Sequence, residues 1–421
     1  MGQSCAMQHT NSSANNGSDH RSRTRQINNQ FTVPYYKAPP DSIQSLQLYS
    51  RRPGSPPVIK LGGGQKLTLE FDNLSRKAST FTIKVSHRTP EWEESNISDT
   101  RYLSDQMSDV IVSGKVNQSA PPAYRHYSYT FPNDNFGVKI SGNYFLELYD
   151  QYSDELIFRI PFFVHEGEGS LSSYIEVLYN QTASGRSLHQ PFSTYKYGDL
   201  GVSNPEFYLS YYYVQNRFWG QAREVDILDR SRKSETSYRL SRERSFAGNI
   251  DFNLVNLSSP DINDRNIRQI IPEITPSQIL LRRDILGFDD NPEYISFTGQ
   301  GMPRSSSDAQ YWDVRFRLDS GRQTNPEDEV YLVGDFNNWS IHKAYKMDFN
   351  RSKSFWEGNA FIKSGEYAYK YVTIQNNTIN ELQLDNAFSY SRNVYTTLVY
   401  FKDPNRYLYR LVNIEDFYSK R

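Results

Sequence analysis

The apolar positions of this chain recur mostly with a period of two. Leu67-Thr-Leu-Glu-Phe71 and Phe81-Thr-Ile-Lys-Val85 alternate apolar with polar residues, the pattern of a half-buried strand. Tyr127, Tyr129 and Phe131 share one face of an extended segment, which Pro132-Asn-Asp-Asn135 breaks. Ser141-Gly-Asn143 then turns the chain into another strand. There Tyr144, Leu146 and Leu148 alternate against Phe145, Glu147 and Tyr149, so one face is expected to be buried. Ile157 to Val164 completes the set, and strands at this spacing predict an immunoglobulin-like sandwich over residues 31–165.

The pattern weakens afterwards. Ile175 to Tyr179, Phe207 to Val214, Ile250 to Leu254 and Ile279 to Asp284 read as strands. The charged run Asp226 to Arg244 reads as an exposed hairpin or loop, and Asp261 to Ile271 as a short helix. Together they give a second sandwich over 166–307. A third, over 308–421, opens with Tyr311-Trp-Asp-Val-Arg-Phe-Arg-Leu318, which sets Tyr311, Asp313, Arg315 and Arg317 against Trp312, Val314, Phe316 and Leu318. Residues 1–30 carry too little apolar surface to offset the entropy of ordering and are expected to be a disordered tail. The predicted fold class is all-β: tandem immunoglobulin-like and early-set sandwiches behind that tail.

Composition agrees with strands: among 421 residues there are 32 Tyr and 24 Phe but only 5 Met. The 47 basic and 48 acidic residues are mixed along the chain, for a net charge of −1, so no basic stripe points to nucleic acid. The apolar stretch from Ile157 to Val164 is interrupted by Arg159 and is too short to span a bilayer as a helix. The one cysteine, Cys5, excludes an intramolecular disulfide. It follows Ser4 as in a lipoprotein signal, although Gly2 stands where Leu is usual. Cys5 is therefore either a lipidated anchor with residues 1–30 as tether, or an uninvolved residue.

No catalytic motif emerges. His165-Glu-Gly-Glu-Gly169 begins like a HExxH zinc site but has Gly169 in place of the second His. Leu61-Gly-Gly-Gly-Gln-Lys66 lacks the ending of a phosphate loop and reads as a turn before a strand. Glu91, Glu93 and Glu94 around Trp92, and Asp289-Asp290, are carboxylate clusters that read as solvated loops rather than as a glycosidase pair. The expectation is a protein without enzymatic activity, metal or cofactor.

Gly334-Asp-Phe-Asn-Asn-Trp339 resembles the glycogen-binding modules and the early-set domains of starch-branching enzymes. That resemblance implies glucan contact by Trp339 and by Lys370, an indole stacking on a sugar face and an ammonium meeting hydroxyls. The second aromatic of such a platform is missing, because Ile374 to Thr378 contains none. The competing reading is that the motif is a strand-turn signature of this sandwich type.

Several pieces in order resemble a second family, the plug proteins of the type 9 secretion system. They are Leu61 to Ser75 (LGGGQKLTLEFDNLS), Thr130 to Leu146 (TFPNDNFGVKISGNYFL), Phe246-Ala-Gly-Asn249 and Thr397 to Pro404 (TLVYFKDP). The resemblance implies a non-enzymatic periplasmic protein, associated with the outer membrane, that seals a large β-barrel translocon; that family also carries an early-set-like domain at its C-terminal end. The alternative function is a periplasmic or surface glycan-binding protein using Trp339 and Lys370.

Overall fold

The structure, a computed structural model, describes residues 30–75, 79–117, 122–179, 186–273, 275–287, 302–303, 309–386 and 391–419. Cys5, residues 1–29 of the expected tail and Asp289-Asp290 lie outside these residues.

The first sandwich packs two sheets. One orders Ile43–Tyr49, Leu67–Asn73, Tyr124–Phe131 and Lys115–Asn117; the other orders Val58–Lys60, Leu156–His165, Gly142–Asp150, Phe81–Arg88 and Ser108–Ile111. Leu67, Leu69 and Phe71 meet Ile83, Leu146, Leu148 and Phe158 between them, and the Phe71 and Tyr127 rings stack 5.0 Å apart. Alternation fails in one informative place. Gly142 to Leu148 is buried on both faces, because Phe145 points away from this core into a second apolar layer with Trp92, Phe163, Val214, Leu398, Tyr400 and Leu411. That layer joins the first sandwich to the second.

The second sandwich does not follow the expected boundary at 307/308. Its first sheet orders Ser170–Leu178, Leu188–Lys196, Glu235–Arg239 and Ile227–Asp229, the last two being the hairpin of the charged run. Its facing sheet orders Arg223–Glu224, Leu209–Gln215, Val394–Asp403 and Leu408–Tyr418. Leu209 pairs with Phe401 and Gln215 with Tyr395, so strands from the end of the chain close this core. Tyr195, Tyr211, Tyr213, Tyr238, Tyr395 and Phe401 fill it.

The third sandwich therefore lies, in sequence, between strands of the second. It draws Asn253–Asn256, Ile267–Ile271 and Gln278–Leu281 from the region expected to be the middle domain. Asp261 to Ile271 is not a helix: its first half is a turn in which Asp261 and Asp264 side chains accept the backbone N–H groups of Asn263 and Asn266. Such local bonds from Asp compete with helix, and Ile267 then pairs with Leu281. Val314, Phe316 and Leu318 face the core as the alternation predicts. Tyr311, on the opposite face, is also buried, at the contact with the first sandwich.

That contact centres on Asp72, which is fully buried. Its carboxylate accepts bonds from Lys363 Nζ (2.7 Å), the Tyr311 hydroxyl (2.7 Å) and His126 Nδ1 (2.7 Å). Tyr124 adds an edge-on contact with Tyr311 and donates to the Ala309 carbonyl at 2.6 Å. The segment Gln30 to Pro40 runs over the junction of all three sandwiches. It passes so close to Gly220 that a Cβ there would lie 2.0 Å from the Thr32 carbonyl oxygen.

Removing one member of a buried ion pair strands the other. Asp72→Ala is expected to destabilise the chain by about 3–5 kcal/mol, read as a lowered denaturation midpoint. The same site sets a pH dependence. Burial opposes charge on His126, but its bonds to Asp72 and Glu70 outweigh burial and raise its pKa above the ordinary histidine value. Its stabilisation is complete below the unfolded value of about 6.5 and fades as pH rises through the folded value. An imidazole titrating at or below the ordinary value by NMR would contradict this.

Candidate functional site

Trp339 and Lys370 both lie against Phe252 in the third sandwich. Val330–Gly334 pairs with Gly365–Gln375, setting Val333 opposite Lys370. A tight turn over Asp335–Asn337 follows, and Asn338 and Trp339 both take positive φ, 50° and 57°. Gly334 is needed for space, since a Cβ would lie 2.7 Å from the Ala368 carbonyl oxygen. Asp335 and Asn337 of the motif are both hydrogen-bonded. Asn337 Oδ1 accepts the Gly334 N–H at 3.0 Å; Asp335 accepts the Trp339 indole N–H at 3.1 Å and the Ala368 N–H at 2.7 Å. Burial lifts the Asp335 carboxyl to about 7, with those two bonds pulling the other way.

Neither predicted glucan residue faces solvent. Trp339 is 5% exposed, and its ring centroid lies 5.1 Å from that of Phe218, 5.4 Å from Phe252 and 6.1 Å from Phe31. Lys370 is 2% exposed; its ammonium sits 2.8 Å from Asp385 and 5.2 Å from the Phe252 ring centroid. Asp385 also receives Arg186 at 2.7 Å. Burial alone would raise the Asp385 pKa, but Lys370 and Arg186 outweigh it and hold the carboxyl below its ordinary value. Nearby Asp251 is pushed up to about 6, first by burial and then by the charge of Asp385. The glycan assignment of Trp339 and Lys370 is thus corrected: with an aromatic cluster over the indole and an ion pair on the ammonium, neither offers a surface to a sugar. The residues that cover them, Phe31, Phe218, Phe252 and Asp385, carry no sequence signal, because each comes from a different stretch of chain.

The other candidates fare similarly. Glu166 of the HExxH-like stretch is held by Arg410 at 2.8 and 2.5 Å and by the Ser141 hydroxyl at 2.8 Å. Burial, then the charge of Lys60, lowers the pKa of His165. Among the described residues no group of three or more His, Cys, Asp or Glu could hold a metal ion. Glu91 and Glu93 accept bonds from the Tyr212 and Tyr35 hydroxyls. The Leu61 to Lys66 turn, with Gly62 and Gly64 at positive φ, lines a cleft of about 300 Å³ whose one carboxylate is Asp134, so it lacks the pair that glycoside hydrolysis requires. No helix among the described residues is long and apolar enough to cross a membrane.

Comparison with known proteins matches these parts. Residues 43–166 match the family described as type 9 secretion system plug protein 1st domain, and residues 311–397 match the starch binding domain family. Both are non-catalytic families. A crystal structure of a hypothetical protein from Parabacteroides merdae ATCC 43184 superposes with a TM-score of 0.79 at 21% identity, over 91% of this chain and 99% of that one, which establishes a shared fold. The native conformation of E. coli alpha-2-macroglobulin, 10% identical with a TM-score of 0.19 over 94% of this chain and 23% of that one, adds no argument. No curated protein matches. Residues 43–166 are thus similar to the first domain of the type 9 secretion system plug proteins, and residues 311–397 to starch binding domains.

Proposed function

We propose that this chain is a non-enzymatic plug subunit that seals the periplasmic opening of the outer-membrane β-barrel translocon of the type 9 secretion system. The match of residues 43–166 to the plug first domain carries the reading. Packing supports it. A protein that blocks a wide pore must resist deformation, and here the sandwiches meet through buried aromatic layers and ion pairs. Interfaces of that kind resemble cores rather than hinges. A plug must also leave, so its contact with the barrel is polar and reversible, in keeping with the balanced charge of the chain. A complex with a mainly apolar interface would overturn that part.

Cys5 is proposed as a lipid anchor that keeps the protein at the outer membrane. A lipid-free mass for the N-terminal peptide of the mature protein would remove the anchor from the reading.

The starch-binding match keeps a second reading alive, a periplasmic or surface glycan-binding protein. The burial of Trp339 and Lys370 weighs against it. Soluble α-glucan is expected to leave the native-gel mobility of the chain unchanged, and Trp339→Ala to lower stability by about 3–5 kcal/mol through loss of a core aromatic. Retardation by glucan that Trp339→Ala abolishes would favour the second reading.

For the plug itself, a tagged chain purified from native outer membranes in mild detergent is expected to bring a very large β-barrel in stoichiometric amount. Deleting the chain should make the outer membrane leaky only where the translocon is present. Recovery of the chain alone after cross-linking, with no leak in the deletion strain, would reject the role.

A further inference from the structure

The hairpin joining Val394–Asp403 to Leu408–Tyr418 turns over residues 404–407, and Asp403 holds that turn in shape. Its Oδ1 accepts the N–H groups of Asn405 and Arg406 at 3.0 and 3.1 Å, and its carbonyl accepts the Tyr407 N–H at 2.9 Å. Arg410 reaches its Oδ2 at 3.3 Å while holding Glu166 at 2.5 Å. From the first sandwich, Arg101 donates to the Arg406 carbonyl at 3.3 Å. The turn is thus braced by its own strands and by the neighbouring sandwich.

Four aromatic residues among those described take a positive φ: Tyr35, Trp92, Trp339 and Tyr407. Such backbone suits glycine or asparagine, and a bulky side chain held there is strained. In three of the four the side chain is engaged within the chain. Trp92 packs against Phe145 and Phe163, Trp339 against Phe218 and Phe252, and the Tyr35 hydroxyl donates to Glu93. Tyr407, at φ 55°, is 88% exposed, and among the described residues its side chain has neither a stacked ring nor a hydrogen bond. Strain of this sort clusters at sites that engage another molecule.

Phe207, 72% exposed, stands at the same end of the second sandwich. The Lys402 N–H donates to the Tyr208 carbonyl at 2.9 Å, and Asp403 pairs with Leu408. Phe207 and the tip of the hairpin therefore stand about two strand spacings, roughly 10 Å, apart. Arg406, Lys402, Arg230 and Glu206 surround them with both signs of charge. A lipid surface accepts an aromatic tip in many poses, whereas a ring strained into one pose suits a preformed slot on a protein, as rigid Tyr anchors do at interfaces. We propose that Tyr407, with Phe207 beside it, is the anchor that enters an apolar slot on the translocon barrel, where a polar group meets the phenol. The inference rests on the plug reading; Arg101 and Glu166, which brace the turn, lie in the segment similar to the plug first domain. One aromatic anchor inside a charged rim keeps the contact small and reversible.

The test uses the full chain, tagged and purified from native outer membranes in mild detergent. Asparagine tolerates positive φ, so Tyr407→Asn removes the ring without loosening the turn. The expected result is a denaturation midpoint equal to or above that of the unaltered chain, with barrel recovery lowered about tenfold or more, and lower still when Phe207→Ala is added. Undiminished recovery with Tyr407→Asn, while the unaltered chain still brings the barrel, overturns the anchor and spares the plug reading. No barrel with the unaltered chain removes both. A lowered midpoint would make Tyr407 a structural residue. Binding to vesicles of phosphatidylethanolamine and phosphatidylglycerol that Tyr407→Asn abolishes would make it a lipid contact, and either result overturns the proposal.

Discussion

Everything in this molecule hangs on one pairing, that of Leu209–Gln215 with Val394–Asp403. It completes the second sandwich with strands from the far end of the chain, and so places the third sandwich between strands of the second. The chain crosses between these two modules once on the way out and once on the way back. Two crossings restrict relative rotation more than a single linker does. The remaining freedom is removed by the Phe218, Phe252 and Trp339 cluster and by the Arg186, Asp385 and Lys370 network. The first sandwich then docks on both neighbours, through Phe145, Phe163 and Tyr400 on one side and Asp72 with Lys363 on the other.

This arrangement accounts for a segment similar to starch binding domains whose Trp339 and Lys370 are covered. An exposed indole and an ammonium on adjacent strands suit a glucan, but they suit equally a neighbour that brings aromatic rings and a carboxylate. Phe31, Phe218 and Phe252 take the place of sugar faces, and Asp385 takes the place of hydroxyls. The same kinds of contact here join parts of one chain.

Strands were legible because burial on one side of a sheet imposes alternation, as at Leu67 to Phe71 and Tyr311 to Leu318. The boundary at 307/308 was not, since nothing local in Val394–Asp403 tells which sheet it enters. Phe145 shows the same limit. Its alternation with Leu146 gives two faces, and only a docked neighbour decides that both are buried. Asp261 to Ile271 misled for a different reason, its aspartates capping turns rather than starting a helix. The motif at Gly334 to Trp339 indicated the strand and turn that the structure has there, with Trp339 and Lys370 both against Phe252. It could not give their burial, which depends on three phenylalanines distant in sequence.

The closing pairing also dictates an order of events during synthesis. Leu209 meets its partner Phe401 about 190 residues later, and distant contacts of this kind form slowly because a long loop must close first. While the ribosome works through the third sandwich, the half-sheet bearing Tyr211 and Tyr213 has only the short Arg223–Glu224 strand on one side and nothing on the other, and an uncapped edge of that sort invites aggregation. The middle of the protein is thus the last part to mature, and a truncation of even the final two strands would leave it open.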